Sequence, residues 1–325
     1  MAGRAMKGEL EYRLPDWPVV DFHMHFPVAE DDFMRPWRES YIKRFGQKKW
    51  EMLARESNAY QDEWWLNWSF PQPEAETSDW RKQADRWAAE VERYHLHRVA
   101  FVSGGGNDLL AGAVARHPDK FVGFAHHDPF APYAARELER AITELGFRGY
   151  KIFAPVLSRP LTDEALHPVW EVAEKHQIPV LIHFGILGGG GGIGNAVNMD
   201  PLILHDVARG FPGIPFVVPH FGTGYVRELL QLCWACRNVY VDTSGNNEWV
   251  RWMPYPLTIE DLFARFYQTI GPERIIFGSD SAWFPRGFAV RYLLDQLRAA
   301  RQLRIPEADL KLIFGGNAIR LLKIA

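Results

Sequence analysis

The chain has 325 residues, of which 47% are hydrophobic and 24% charged, and its formal net charge is −3. This composition is that of an ordinary globular protein, and without a Lys/Arg block it argues against nucleic acid or an anionic membrane as a partner. No apolar run approaches the roughly 18 residues of a membrane span, and the charged N-terminal stretch lacks a signal-peptide core. Two cysteines, Cys233 and Cys236, form no disulfide framework. We therefore expect a cytoplasmic protein with a core large enough for an enzyme.

Eight short apolar runs alternate with amphipathic stretches along the chain. Each run is almost wholly apolar, as expected for strands of a parallel sheet that is covered on both faces. The runs are Pro18–Phe22, Arg98–Val102, Phe121–Ala125, Gly149–Phe153, Pro179–His183, Pro215–Val218, Val239–Asp242 and Arg274–Phe277. Helical patterns between them are clear at Ala134–Leu145, His167–His176, Val226–Cys236 and Phe288–Ala300. This alternation predicts a single α/β domain over residues 1–325, a (β/α)8 TIM barrel.

One stretch breaks the alternation, because about 75 residues separate the first run from the second, far more than a normal connection needs. We predict a helical insertion over residues 27–97. It is rich in tryptophan and carries Trp37, Trp50, Trp64, Trp65, Trp68, Trp80 and Trp87. The insertion could pack a small core of its own on the barrel, or form a lid over the catalytic mouth or a subunit interface. Since it follows the first strand, we expect it at the active-site end.

A glycine run, Gly188–Gly192, follows the fifth predicted strand. Such a run can present backbone amides to an anion. However, no Lys-Ser/Thr pair follows it and no helix opens directly from it, so it is not a Walker-type loop. We interpret it as a mobile active-site loop.

A pair of histidines, His23 and His25, ends the first predicted strand. Residues i and i+2 of a strand project to the same side, so both imidazoles can face one metal ion, and a borderline cation such as zinc suits them. Alone this pattern is weak, and the chain repeats it at His95 and His97. That second pair precedes a strand, whereas barrel active sites lie at the C-terminal ends of strands. We therefore expect His95 and His97 to be structural or surface residues.

Further polar side chains stand at the C-terminal ends of other predicted strands. His183 closes the fifth, His220 follows the sixth and Asp280 follows the eighth. Asp280 alone could be a helix cap, but its company at one barrel mouth favours a metal site. Asp242 and Ser244 end the seventh strand and are predicted to hold the histidines from behind.

These motifs resemble those of the amidohydrolase superfamily. The chain is most similar to the amidohydrolase-related branch that includes aminocarboxymuconate semialdehyde decarboxylase and the resorcylate-type decarboxylases. The residues that carry the resemblance are Asp21-Phe22-His23-Met24-His25, Leu181-Ile182-His183-Phe184-Gly185, Pro219-His220-Phe221-Gly222, Phe277-Gly278-Ser279-Asp280-Ser281 and Phe314-Gly315-Gly316-Asn317-Ala318. The motifs are specific for the superfamily and say little about the substrate.

The resemblance implies that His23, His25, His183 and Asp280 hold one divalent ion, with zinc expected and manganese as the alternative. His220 would then be the acid/base or substrate-orienting residue. As a hydrolase, our first expectation, the enzyme would use a metal-bound hydroxide to attack a carbonyl or lactone carbon. The alternative is a non-oxidative decarboxylase of a small aromatic or dienoic acid, in which a side chain protonates the carbon and Asp280 acts as ligand and relay. A catalytically idle metal-binding scaffold ranks third.

Lys151, near the end of the fourth strand, leaves the number of ions open. In binuclear members of the superfamily a lysine on this strand is carbamylated and bridges two metals. A second ion is therefore expected only if Lys151 is carbamylated, and His220 would then become a ligand. Otherwise desolvation would make Lys151 a substrate-binding group.

Four residues are weaker candidates for substrate contacts. His126 and His127 follow the third strand, where one could touch substrate or be held by a backbone contact. Arg286 could bind a substrate carboxylate bidentately or form a surface salt bridge. Trp283 is predicted to wall the pocket. The expected partner is a small-molecule substrate, and the resemblance implies a homodimer.

Overall fold

The computed structural model describes residues 14–28, 35–67, 70–75, 77–187 and 192–325, apart from the side chains of residues 36, 64 and 67. Of the predicted features, Trp68, the side chain of Trp64 and residues 188–191 of the glycine run lie outside the described residues. Across the described part of the chain, no helix combines the length and apolar character that a membrane span requires.

Eight parallel strands form one sheet in which each strand pairs with the next along the chain. The strands are β1 (Val20–His25), β2 (Arg98–Ser103), β3 (Phe121–Ala125), β4 (Gly149–Phe153), β5 (Val180–His183), β6 (Phe216–Val218), β7 (Val239–Asp242) and β8 (Ile275–Ile276). The two edges meet, because the Phe22 amide donates to the Phe277 carbonyl at 3.1 Å and the Asp280 amide to the His23 carbonyl at 2.8 Å. The predicted (β/α)8 TIM barrel is confirmed.

Helices follow the strands around the outside of the barrel. The α-helices of the described residues are α1 (Arg35–Phe45), α2 (Gln47–Asn67), α3 (Trp80–Arg93), α4 (Gly106–Arg116), α5 (Ala134–Thr143), α6 (His167–His176), α7 (His205–Gly210), α8 (Val226–Ala235), α9 (Ile259–Ile270), α10 (Val290–Gln302), α11 (Glu307–Lys311) and α12 (Asn317–Leu322). The clearest helical patterns in the sequence lie within a few residues of these bounds.

Two strand boundaries differ from the sequence prediction for reasons that concern the site. β1 runs on to His25, beyond the apolar run that ends at Phe22, so both histidines belong to the strand as their spacing predicted. β8 has only two residues and ends at Ile276, two residues before the tightly packed Gly278. A Cβ at Gly278 would lie 2.8 Å from the Cβ of His23 and 2.9 Å from that of Ser244. Glycine is therefore needed where β8 meets the first histidine.

The core has two layers, one inside the barrel and one between the strands and the helices. The inner layer includes Phe22 and Phe124, whose fully buried rings meet edge to face with centroids 5.4 Å apart. Burying one such ring contributes about 1.5–3 kcal/mol. Both faces of the sheet are thus covered, which explains why the strands read as apolar runs and not as alternating patterns.

The insertion, which holds α1 to α3, shares its core with the mouth of the barrel. A small apolar cluster joins it to the segments that follow β4 and β5, and its members are Trp37, Val156 and Leu187, with Tyr41, Trp50, Leu53 and Phe153 packed against them. Trp87 of α3 packs instead in the main core, 4.7 Å between ring centroids from Phe284. The insertion therefore lies at the C-terminal end of the barrel, as expected from its place after β1. Its roles as a lid or as a subunit interface remain predictions.

The glycine-rich motif near the C-terminus seals the opposite end of the barrel. A Cβ at Gly315 would lie 2.3 Å from the Pro18 carbonyl oxygen, so no larger residue fits there. Asn317 donates from Nδ2 to the carbonyls of Pro272 at 2.7 Å and Ile275 at 2.8 Å. The motif is thus explained by packing beneath the strands, away from the predicted site.

Candidate metal centre

Three metal-capable side chains meet at the C-terminal mouth of the barrel. The potential donor atoms of His23, His25 and Asp280 all lie within 4.8 Å of one another. Asp280 Oδ1 is 3.2 Å from His25 Nε2 and 3.8 Å from His23 Nε2. Side chains at the ends of β1 and β8 therefore converge as the sequence predicted.

The backbone around these residues departs from regular strand geometry. The pairing of β1 with β2 shifts register between Asp21 and Met24 and again between Met24 and His25. Asp280 has φ 57°, in the left-handed region that non-glycine residues rarely adopt. Such strain costs about 1–3 kcal/mol and persists where the surroundings impose it. Here the amide of Asp280 is held by the His23 carbonyl at 2.8 Å, which fixes the carboxylate beside the histidines.

Hydrogen bonds from behind orient both imidazoles. His23 Nδ1 donates to Asp242 Oδ2 at 2.7 Å, with both side chains fully buried, and lies 3.0 Å from Ser244 Oγ. His25 Nδ1 hydrogen-bonds with Ser103 Oγ at 2.6 Å. The Asp242 carboxylate therefore leaves Nε2 of His23 for a ligand, an arrangement common to metal-binding histidines, and Ser103 fixes the orientation of the His25 ring. The contacts of Asp242 and Ser244 with the histidines were predicted from the sequence. The contact of Ser103 was not, although Ser103 is a polar residue at the end of an apolar strand and could have been recognised by that position.

The charges at the site also suit a cation. Burial, reinforced by the nearby Lys151 charge, holds the pKa of His23 well below its usual value, so this imidazole is neutral. Burial opposes ionisation of Asp280, but the hydrogen bond from His25 and the charges of neighbouring histidines outweigh it and hold its pKa well below the usual value. Burial raises the pKa of Asp242 to about 6, so near neutral pH it is still mainly a carboxylate. A neutral imidazole and an ionised carboxylate are the forms in which these groups bind metals.

Asp21 supports the site from below, and the sequence revealed it only as part of the family motif. Its Oδ1 accepts from the His23 amide at 3.1 Å and the Ser279 amide at 2.9 Å. Its side chain is fully buried, and burial raises its pKa to about 7. Asp21 thus links β1 to the segment after β8, next to His23, His25 and Asp280.

Lys151 and His183 lie at the same mouth but outside the three-residue group. Lys151 Nζ is buried 3.3 Å from His23 Nε2, and burial lowers its pKa to about 8. His183 Nε2 lies 3.1 Å from the Ile186 carbonyl, and burial holds its pKa well below the usual value. In this neutral ring Nε2 carries the proton, so only Nδ1 has a lone pair that could bind a metal ion. The fourth-ligand role of His183 and the bridging role of Lys151 remain predictions.

His220 lies between the other histidines. Its ring centroid is 5.1 Å from that of His23 and 5.0 Å from that of His183. Nδ1 donates to the Ser244 carbonyl at 3.1 Å and lies 2.9 Å from Ser244 Oγ. The carbonyl can only accept, so Nδ1 carries the proton and Nε2 is left for acid/base chemistry. Like Asp280, His220 has a left-handed backbone, with φ 56°.

The weaker candidates for substrate contacts divide into two groups. His126 Nε2 accepts from the Gly104 amide at 3.1 Å, and His127 Nε2 lies 3.0 Å from the Ala134 carbonyl. Both rings therefore have the backbone contacts that the alternative interpretation expected. Arg286 lies beside the cluster, because its Nη2 donates to the Asp280 carbonyl at 2.8 Å, and its guanidinium carbon is 3.6 Å from the Trp283 ring centroid. The substrate-binding roles of all four residues remain predictions.

The residues that were expected to be uninvolved lie elsewhere. His97 Nε2 lies 2.7 Å from the carbonyl of Ala325, near the C-terminus. Cys233 and Cys236 are buried free thiols, and burial raises the pKa of Cys233 to about 12. A thiol with so high a pKa is a poor nucleophile and a poor metal ligand.

Comparison with known proteins agrees with this geometry. A sequence model of the amidohydrolase family Amidohydro_2 matches residues 20–324. The gamma-resorcylate decarboxylase of Polaromonas sp. JS666 is 28% identical over 264 residues, which cover 67% of this chain and 75% of the relative.

Two solved structures share the fold. One is the 5-carboxyvanillate decarboxylase of Novosphingobium aromaticivorans, complexed with manganese and 4-hydroxy-3-methoxy-5-nitrobenzoic acid; it has TM-score 0.62 and 18% identity, with 95% of this chain and 97% of that chain covered. The other is a dihydroxybenzoic acid decarboxylase of Polaromonas sp. JS666 with bound manganese and the inhibitor 2-nitroresorcinol; it has TM-score 0.58 and 20% identity, with 94% and 97% covered. Because the family match runs from β1 to the residue before the last, the chain belongs to the Amidohydro_2 family and is an enzyme of the amidohydrolase superfamily.

Proposed function

We propose that this enzyme is a metal-dependent, non-oxidative decarboxylase of a small aromatic acid. The observation that carries the proposal is the cluster of His23, His25 and Asp280 at the barrel mouth, in a chain similar to a gamma-resorcylate decarboxylase over three quarters of that relative. Hydrolysis was the first expectation from the sequence. The relatives favour the alternative, because the curated relative and both solved structures described above are decarboxylases.

The donor set fits a divalent cation. His23 Nε2, His25 Nε2 and Asp280 Oδ1 would hold it, and the hydrogen bonds to Asp242 and Ser103 already fix the two rings. A divalent ion bound there would polarise the substrate oxygens that lie next to the carboxylate and stabilise charge on them. Manganese is the ion to test first, since both solved structures hold it, with zinc as the ion that the sequence favoured.

The second metal ion of the carbamylated-lysine plan is not needed by this proposal. Lys151 Nζ is buried and lies 3.3 Å from His23 Nε2. Because burial penalises an unpaired charge, the lysine is stable there either as a neutral amine or as an ammonium paired with a bound anion. We assign Lys151 to substrate binding beside a single ion. Lys151 Nζ lies over the Phe153 ring, 4.7 Å from its centroid, so a substrate bound to the lysine would lie beside an aromatic side chain.

The proton steps are assigned to His220 and Asp280. In the reaction the bond between the ring carbon and the carboxylate carbon breaks, CO2 leaves, and the electron pair left on the ring carbon takes up a proton. His220 has its Nδ1 proton fixed on the Ser244 carbonyl, so a second proton on Nε2 can be delivered and regained. Asp280 Oδ1 faces the histidines, and Oδ2 lies on the side of Gly245, where an added Cβ would be 3.7 Å from it. That oxygen can relay a proton while Oδ1 serves as a ligand.

The test is a product assay on protein loaded with manganese or zinc. Gamma-resorcylate, other hydroxybenzoates and dienoic acids would be screened for CO2 release, and lactones and amides for acid release. We expect CO2 and the corresponding phenol in equal amounts, with loss of turnover in His23→Ala and retention in His205→Ala, which changes an exposed histidine paired with Asp206. Acid release from a lactone or amide without CO2 release from any acid would refute the proposal and restore the hydrolase.

A further inference from the structure

We propose that Arg286 and Trp283 form an anion subsite that binds a carboxylate of an aromatic substrate, and that the insertion holds this subsite in place. The inference rests on the proposed function, since it concerns the substrate of the same site. It names the group that the substrate must carry and the residues that select it.

Arg286 has no anionic partner among the described residues. No carboxylate that the structure describes forms an ion pair with it, and its buried Nε has no hydrogen-bond acceptor there. Its polar contacts are the Asp280 carbonyl, 2.8 Å from Nη2, and the hydroxyl of Tyr292, both uncharged groups. The residue is half-buried, and an arginine drawn out of water without a counter-ion is uncommon. A planar carboxylate would supply the missing charge and accept from the Nη groups.

Trp283 prepares the guanidinium for such a ligand. The guanidinium carbon lies 3.6 Å from the Trp283 ring centroid, which is the distance of a stacked pair. Stacking occupies a face of the guanidinium and leaves its N–H edges in the plane where a carboxylate binds. The side chain is therefore held in position before the ligand arrives, which lowers the entropic cost of binding.

The insertion determines where Trp283 lies. Its indole Nε1 donates to the Pro71 carbonyl at 3.2 Å, and its ring meets Phe70 edge to face with centroids 5.9 Å apart. Trp65 of α2 also approaches the same ring, at 6.5 Å between centroids. The tryptophan-rich stretch thus touches the residue on which Arg286 is stacked, which gives it a role in substrate selection.

A small cavity of about 110 Å³ lies beside this subsite. Two of its lining residues contact the proposed pair, since Phe70 meets the Trp283 ring and Tyr292 is hydrogen-bonded to Arg286. Gly245, which also lines it, adjoins the catalytic residues, because an added Cβ there would lie 3.3 Å from His220 Nδ1. Asn246 Nδ2, in the same lining, is a second buried donor without an acceptor.

Binding of benzoate and of its neutral analogue benzamide, measured by calorimetry, tests the subsite without requiring turnover. We expect the wild-type protein to bind benzoate about 10-fold or more tightly than benzamide, because hydrogen bonds to charged groups are worth that much. Arg286→Gln should abolish this preference, Arg286→Lys should keep part of it, and Trp283→Leu should weaken it. Arg227→Gln is the matched control, since Arg227 is 79% exposed, and it should keep the preference in full.

The measurement is repeated after chelation, because a carboxylate could also bind a metal ion. A preference for benzoate that survives in Arg286→Gln would overturn the inference and assign the carboxylate to the ion. In the metal-loaded protein, tighter binding of isophthalate than of benzoate would show that Arg286 binds a second carboxylate of the substrate. Equal binding of the two acids would show that Arg286 binds the carboxylate that is lost in the reaction. If no acid is decarboxylated but the preference depends on Arg286, the proposed function fails and the subsite stands.

Discussion

Replacing Asp242 by Asn tests how the metal centre is built. The Asp242 carboxylate accepts the His23 Nδ1 proton at 2.7 Å, so Nε2 carries the free lone pair. An asparagine can instead turn its amide N–H toward Nδ1, which moves the ring proton to Nε2 and blocks it as a ligand. Loss of such a supporting group reduces metal affinity by about 10- to 100-fold, or ~1.4–2.7 kcal/mol.

The stability of the metal-free protein should not fall. Burial raises the pKa of Asp242 from 3.8 to about 6, so above pH 6 its charge costs the folded state about 3 kcal/mol. This cost is already net of the hydrogen bonds that the carboxylate accepts, and Asp242→Asn removes it. We therefore expect a large loss of metal affinity without a loss in the free energy of unfolding.

Competition with a fluorescent chelator for Mn²⁺ and Zn²⁺ measures the affinity, and thermal melts of the chelated proteins measure the stability. Asp206→Asn is the matched control, because Asp206 is hydrogen-bonded to His205 Nδ1 at 2.8 Å but is 87% exposed and remote from the cluster. Unchanged metal affinity in Asp242→Asn would refute the assignment of Asp242 as the residue that orients His23. An equal loss in Asp206→Asn would show that the effect is not specific to the site.

Three further predictions concern stability. Gly287→Ala would place a Cβ 2.4 Å from Glu90 Oε2, which accepts from the Phe288 amide. It should therefore cost more unfolding free energy than Gly146→Ala, because Gly146 has a similarly positive φ (73°, against 62° for Gly287) but no atom within 4 Å. Equal losses of stability in denaturant melts would show that the contact with Glu90 has no effect. The Arg140 hydrogen bonds lower the pKa of Glu137 from 4.5 to about 2. The stability that they add is therefore complete above pH 4.5 and is lost as the pH falls through 2, so the difference in Tm between wild type and Glu137→Gln should shrink over that range. A difference in Tm that does not change with pH would contradict the pairing. An ion present at 100 times its Kd adds ~2.7 kcal/mol to the free energy of unfolding, which for a chain of this length is about 4 °C in Tm. Removing the ion with a chelator should therefore lower the Tm by that amount. Adding Mn²⁺ should restore the Tm of wild type but not that of His25→Ala.

The barrel could be predicted from the sequence because strands buried on both faces leave a simple signal. Strand ends were less certain where polar residues begin, as at β1, which continues through His25, and at β8, which stops at Ile276. Periodicity cannot show that a Cβ at Gly278 would lie 2.8 Å from that of His23, since this closeness depends on the closed barrel.

The candidate site was predictable where its residues stand at strand ends. His23, His25 and Asp280 meet as expected because parallel strands bring their C-terminal ends to one mouth. Contacts made across the barrel were harder to predict: Ser103 supports His25 from β2, and the stack of Arg286 on Trp283 depends on the insertion. Such pairs are far apart in sequence, and nothing in the local pattern of either residue identifies its partner.

The central claim is that His23, His25 and Asp280 hold one catalytic divalent ion. Metal content per chain, measured by elemental analysis of protein purified without chelators, tests it most directly when wild type is compared with His25→Ala and Asp280→Ala. We predict about one manganese or zinc per wild-type chain and a large loss in both variants. Folded wild-type protein that contains no metal and takes none up on titration, or variants that retain a full ion, would contradict the claim.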